Sequence, residues 1–243
     1  MIRVAPDPDL ADVVEQHWIV CWDRRGLPAL RHEVLPDPAV NLAVEPSGAL
    51  LYGVGSGYTV RELQGSGTVV GTKFRPGGFS GFRAEPVSAL SGRVLTMSDA
   101  FGAAGVQLDA ALAAASDVSA IVAVVSAFLR TRRGPPDAHQ ALVMEILDAM
   151  RAAPSGIRVA DLAADFAIST RTMQRMFTHH VGASPKQVLQ RLRRQRAVDL
   201  FGDERPLHLA QLAAELGYFD QAHLARDIRG TLGRNPSAVA ASA

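Results

Sequence analysis

The chain has 243 residues, 48% hydrophobic and 20% charged, a globular composition long enough for one large domain or two ordinary ones. One cysteine, Cys21, excludes an internal disulfide framework, a cysteine-based zinc finger and an iron–sulfur cluster. The formal charge of +1 argues at first sight against a polyanionic partner.

Short apolar runs occupy residues 17–22, 31–36, 40–45, 49–55, 58–63 and 67–74, separated by turn signals such as Pro-Asp-Pro, Pro-Ser-Gly and Gly-Ser-Gly. This pattern predicts the strands of an antiparallel sandwich or barrel. Cys21, set between apolar residues, is expected to be buried packing. The glycine-rich pieces Gly53–Gly57 and Arg75–Gly78 lack the context of a phosphate loop and read as turns. From about Ser98 the period becomes helical, with helices predicted at 107–115 and 117–130. Thr131–Pro136, with a glycine and two prolines after a helix, reads as the linker.

Everything beyond the linker reads as helix. Residues 138–152 carry one apolar face and stop at Pro154-Ser155-Gly156. Ser184-Pro185-Lys186-Gln187 is a capping box with serine at the N-cap, proline at N1 and glutamine at N3, and it opens a long helix. Asn235-Pro236 repeats the first two positions of that signal. His179-His180 ends a helix, where capping of the last carbonyls is the expected role.

An internal repeat organises this half. Leu162-Ala163-Ala164-Asp165 returns 50 residues later as Leu212-Ala213-Ala214-Glu215. Met173, Arg175, Phe177, Gly182 and Pro185 return as Leu224, Arg226, Ile228, Gly233 and Pro236, each 51 residues on. Each copy is a helix, a short turn and a second helix, the helix-turn-helix arrangement. In the second helix of each copy the apolar stripe leaves polar residues on the far face. These are Arg171, Gln174 and Arg175 in the first copy, and Gln221, Ala222, His223 and Arg226 in the second. Arginine can pair bidentately with guanine and glutamine with adenine, so these positions are the candidate base contacts. Ser169, Thr170, Lys186 and Arg194 are the candidate phosphate contacts.

The charge distribution supports this reading. Residues 1–136 hold 12 basic and 13 acidic side chains; residues 137–243 hold 13 and 11. The stretch 171–196 has seven basic residues (Arg171, Arg175, Lys186, Arg191, Arg193, Arg194 and Arg196) and no acidic one. A single-signed run of this kind is a candidate phosphate-facing surface. Two recognition helices on a rigid connector suit successive major-groove segments, about 34 Å apart.

On LAADFAISTRTMQRMFTHHVGASPKQVLQRLRRQRAVDLF and LAQLAAELGYFDQAHLARDIRGTLGRNPSAVA the second half resembles the AraC/XylS family of transcription regulators. The resemblance implies two helix-turn-helix motifs, at about 158–182 and 208–233, joined by a helix at about 185–201. It departs from the family pattern at Leu224, Ile228, Ala222 and Asn235, and Ala222 offers no hydrogen bond to a base. His17-Trp18, VLPDPAVNLAVEPSG and GTKFRPGGFSGF resemble a poorly characterised N-terminal domain of some family members, and imply a cupin-like β-barrel. In the wider family such domains bind a small effector, form a dimer, or both.

The expected fold is therefore α+β in two domains: a β-rich sensor or dimerisation domain over 1–133, and an all-α DNA-binding domain over 134–243. The expected function is sequence-specific, effector-responsive transcription regulation. The expected partners are double-stranded DNA, a small-molecule effector, a second copy of the chain and, for an activator, RNA polymerase. Aromatic walls with a few polar groups make small-molecule pockets, which singles out Trp18, Trp22, Tyr52, Phe74, Arg75, Phe79 and Arg83. The alternatives are a pure dimerisation or protein-interaction module and a cupin-type enzyme. The enzyme needs clustered metal ligands, but His17 and His32 stand apart, so no catalytic residue, metal or cofactor is expected. With no secretory leader and no apolar run of about 18 residues, a cytoplasmic location away from membranes is expected.

Overall fold

The computed structural model describes residues 1–34, 39–55, 59–135, 137–153, 156–201, 213–214, 220–222 and 224–225. The first half builds β1 (Ile2–Val4), β2 (Val14–Arg24), β3 (Leu30–Val34), β4 (Asn41–Glu45), β5 (Gly48–Tyr52), β6 (Thr59–Leu63), β7 (Gly65–Phe74) and β8 (Val94–Thr96). Two 3₁₀ turns, η1 (Gly78–Phe82) and η2 (Val87–Leu90), precede β8. Six strands form an antiparallel sheet in the order β1-β2-β7-β4-β5-β8, and β3 pairs with β6 in a separate two-stranded ribbon. All six predicted strands are present. The two 3₁₀ turns and the short β1 and β8 carry no periodic signal in the sequence.

Register explains the two faces of the sheet. His17 pairs with Thr72 and Ile19 with Val70, while Leu42 pairs with both Thr72 and Leu51. All six are buried, on the face covered by α1 (Met97–Phe101), α2 (Ala103–Ala113) and α3 (Val118–Arg132). A chain of aromatic contacts fills that layer: Phe74 to Phe79 at 4.9 Å, Phe79 to Phe101 at 6.3 Å and Phe101 to Phe128 at 5.1 Å between ring centres. Edge-to-face pairs of this kind contribute about 0.5–1.5 kcal/mol each beyond their burial. On the other face Trp18 pairs with Gly71 and Trp22 with Gly67. The indoles lie across the glycines so closely that a Cβ at Gly71 would stand 2.0 Å from Trp18 Cε2. Glycine in β7 is thus required by the rings beside it.

The second half begins with α4 (Ala138–Ala152), α5 (Val159–Asp165), α6 (Thr170–His180) and α7 (Pro185–Phe201). The helices start where their caps demand. Asp137 accepts from His139 N–H at 2.9 Å, and Ser169 accepts from Thr172 N–H at 3.0 Å. At the head of α7, Gln187 N–H donates to Ser184 Oγ at 3.3 Å while Ser184 N–H donates to Gln187 Oε1 at 2.8 Å, the reciprocal capping box. One apolar core joins the halves, running from Leu10 and Phe79 through Val87, Val143 and Phe177 to Val188. The linker is fastened to the first half: Gly134 N–H donates to Gly81 O at 2.8 Å, and Arg133 is ion-paired with Asp12.

Candidate nucleic-acid interface

Helices α5 and α6 form the first helix-turn-helix. The turn between them closes with Ala167 N–H on Ala164 O and Ile168 N–H on Ala163 O, both at 2.9 Å, the paired bonds of a Schellman ending. Ala167 occupies the left-handed position of that motif, with φ 51°. The motif turns the chain so that Ser169 can cap α6. On α6, Met173, Met176, Phe177 and His180 are buried. Arg171, Gln174 and Arg175 are exposed, one helical turn apart on the opposite face. The expected split between apolar stripe and polar face is what the helix has. Thr178 is exposed on the same polar face, a member the sequence reading missed although it follows Gln174 by four positions.

Ser169, Thr170 and Lys186 are exposed, the first two at the head of α6 and the third in the first turn of α7. Arg194 is half-buried. The rest of the basic run is placed differently from the expectation of one phosphate-facing surface. Arg193 donates to Ile157 O at 3.4 Å, and Arg196 donates to Ala153 O at 3.1 Å and also to Arg151 O. Arg191 donates to Gly55 O. Three of the seven charges therefore serve backbone carbonyls of this chain, and one of them, Arg196, does so at the end of α4, where the helix dipole favours a cation. In the second motif, Gln221 and Ala222 are exposed and Leu224 is buried. His223 and Arg226 lie outside the described residues.

The N-terminal pocket candidates do not come together. Phe74 and Phe79 are buried in the aromatic layer under the helices. Arg75 donates to Ala11 O at 2.7 Å and Arg83 to Ala100 O at 3.0 Å, both as local braces. Trp18, Trp22 and Tyr52 belong to the sheet face away from that layer. There Tyr52 Oη donates to Glu45, and Arg61 lies over the Tyr52 ring at 4.7 Å. Burial, with help from the Glu45 carboxylate, pushes the Tyr52 phenol up to about 12, so it is a neutral donor at every physiological pH.

Cys21 is exposed, against expectation. It sits on β2 beside Thr68 and an open depression of about 530 Å³ lined also by Trp22, Asp23 and Ser66. His17 is buried, with Nδ1 2.9 Å from Thr72 Oγ1, and burial lowers its pKa. His180 corrects the capping expectation. It is buried, with Nδ1 3.0 Å from Ser80 Oγ in η1 and Nε2 3.6 Å from Asp137 Oδ2. Among the described residues no group of three His, Cys, Asp or Glu could hold a metal ion, and no helix is long and apolar enough to cross a membrane.

Residues 2–96 match the family described as a domain of unknown function, DUF6597, and residues 162–242 match a helix-turn-helix domain. No curated protein matches the chain. Among solved structures, a probable AraC family transcriptional regulator from Rhodopseudomonas palustris is 28% identical over 42% of this chain and 96% of its own, with a TM-score of 0.39. The DNA-binding domain of the global transcriptional factor AdpA, solved with a target DNA, is 26% identical over 44% and 93%, with a TM-score of 0.36. ToxT from Vibrio cholerae is 9% identical over 92% and 96%, with a TM-score of 0.45. A match to DUF6597 thus lies ahead of a match to a helix-turn-helix domain in this chain.

Proposed function

We propose that the chain is a sequence-specific transcription regulator that reads DNA with α6 of the first helix-turn-helix and the matching helix of the second. The observation that carries this reading is the division of α6: Arg171, Gln174 and Arg175 are exposed together while Met173, Met176 and Phe177 hold the opposite side in the core. Guanidinium and amide groups at this spacing fit guanine and adenine edges in a major groove. Ser169, Thr170, Lys186 and Arg194 would meet phosphates, and Gln221, Ala222, His223 and Arg226 would give the second motif its own readout. Ala222 carries no hydrogen-bonding group, so the second motif reads fewer bases than the first.

In this reading the boundary falls near residues 133–134, the N-terminal domain senses a small effector or pairs two copies, and the protein works in the cytoplasm on double-stranded promoter DNA. RNA polymerase is a partner if the regulator activates. Selection of bound sites from random DNA tests the central claim. An enriched motif is expected, and enrichment of nothing would sink it. A ligand-induced melting screen on the full chain separates sensor from dimerisation module, because only a ligand that binds the folded state raises the Tm.

A further inference from the structure

We infer that the N-terminal domain grips the first recognition helix by its back and its C-terminal end, and controls DNA binding by tightening or releasing that grip. It does not cover the reading face. The functional consequence rests on the DNA-reading proposal above; the grip itself does not.

The seam is built from four elements. Behind α6, η1 supplies Ser80, whose hydroxyl donates to Gly77 O at 3.1 Å and so accepts from His180 Nδ1–H at 3.0 Å. Just past η2, Ser91 Oγ donates at 2.8 Å to the carbonyl of Gly182, two residues after α6 ends. Gly182 sits with φ +76° so close to Val87 that a Cβ there would stand 3.0 Å from both Val87 Cγ1 and Val87 O. From α4, Gln140 Nε2 donates to Gly77 O at 3.0 Å, and Gly77 packs against Met144 and Val143. Polar bonds therefore border an apolar contact on the side of α6 opposite Arg171, Gln174 and Arg175. An N-terminal domain attached there leaves those side chains free, and fixes the direction in which they point. Pre-organisation of this kind favours binding by removing an ordering cost from the DNA-bound state.

His180 gives the seam a lever. In the closed seam its Nδ1 carries the proton given to Ser80, so the neutral ring turns a bare Nε2 toward Asp137 Oδ2. The charged groups around it are Asp137, which favours protonation, and His179 and His139, which oppose it. Burial is the largest influence and lowers the pKa. A group whose pKa is lower in the closed state than in the open one holds the seam shut above its open-state value and loses that hold as pH falls. One proton is taken up, so the closing equilibrium weakens by at most about tenfold per pH unit. Opening is thus favoured by acid, and by any effector that moves η1 or η2.

Hydrogen–deuterium exchange on the full chain tests this without DNA. At pH 7.5, peptides covering residues 77–91 and 176–183 should be protected. A Ser80→Ala/Ser91→Ala double variant should exchange in both segments, and not in β2 and β7, on the order of tenfold faster. At pH 5.5 the wild type should lose protection in the same two segments after correction for intrinsic rates. His180→Asn should lose that pH dependence. Asp137→Asn, which keeps the α4 cap but removes the carboxylate that favours protonation, should open more than the wild type at pH 5.5. Unchanged protection in the double variant, or acceleration spread evenly over the sheet, would overturn the inference. Acid opening that persists in His180→Asn would overturn the lever. Binding of the site selected from random DNA should weaken severalfold in the double variant with its base preference intact. A wild type that binds no DNA while the exchange results hold would sink the DNA-reading proposal and leave the seam standing.

Discussion

On α6 the guanidinium groups of Arg171 and Arg175 stand exposed, whereas on α7 those of Arg193 and Arg196 turn back onto carbonyl oxygens of the α4–α5 connection. The two helices are neighbours in one run of seven basic residues without an acidic one. The first sends its charge outward from a face whose reverse is apolar core; the second turns Arg196 onto the last carbonyls of α4 and Arg193 onto Ile157 O ahead of α5. Same-signed sequence is therefore not same-signed surface. Under the proposed function, the positive field that faces DNA comes from fewer groups than the run contains, and affinity then depends more closely on base contacts and on the second motif.

The largest expected effect breaks the comparison on the α7 side. Arg196→Ala removes charge-assisted hydrogen bonds to Ala153 O and Arg151 O. Bonds from charged groups contribute about 1.5–3 kcal/mol each, and water can replace part of the loss at a half-buried site, so a net cost of about 2–3 kcal/mol is expected. Thermal melting of the full chain should show a lower Tm, while the preferred DNA sequence stays the same. An unchanged Tm with weaker binding to every DNA would return Arg196 to the phosphate-facing surface.

Next comes the α6 side. Arg175→Ala should leave the Tm nearly unchanged, since the side chain is exposed, and should weaken binding to the preferred site by about 1–3 kcal/mol, or roughly 5- to 150-fold. Competition against sites altered at single positions should show discrimination lost at one base pair. Equal loss on all sequences, with a shallower salt dependence, would make Arg175 a phosphate contact.

What was legible in the sequence divides along the same line. Strand runs, the Ser184-to-Gln187 capping box and the polar face of α6 are set by neighbours within a few positions, so spacing alone reveals them. The destinations of Arg193 and Arg196 depend on where α4 ends in space, 36 to 45 residues away along the chain, and no periodicity encodes that. The same holds for His180 and Ser80, which are 100 residues apart. Cys21 is exposed although its neighbours in β2 are apolar, because neighbours along a strand do not tell what covers a residue. Aromatic identity puts Phe74 beside Trp18 and Tyr52 among the pocket candidates, but it does not tell which face of a sheet a ring takes. Strand parity does once the register is known.

The smallest expected effect sharpens the comparison at the point where the chain enters α6. Ala167 holds φ 51° at the left-handed position of the α5 ending, where glycine is the usual residue and a Cβ costs about 1–2 kcal/mol. Ala167→Gly removes that strain but adds freedom to the unfolded chain, which offsets about 0.5–1 kcal/mol. The balance is a stabilisation of up to about 1.5 kcal/mol, read as a small rise in Tm. Because the Ala167 methyl is exposed and precedes the Ser169 cap, neither the α6 core contacts nor the exposed Arg171 and Arg175 should move. The selected DNA motif should therefore be the same for variant and wild type. A fall in Tm would mean that the turn is held by the backbone bonds to Ala163 and Ala164 without strain. A changed motif would mean that the turn angle itself aims α6, and that the reading face is set from its N-terminal end as well as from the seam at its back.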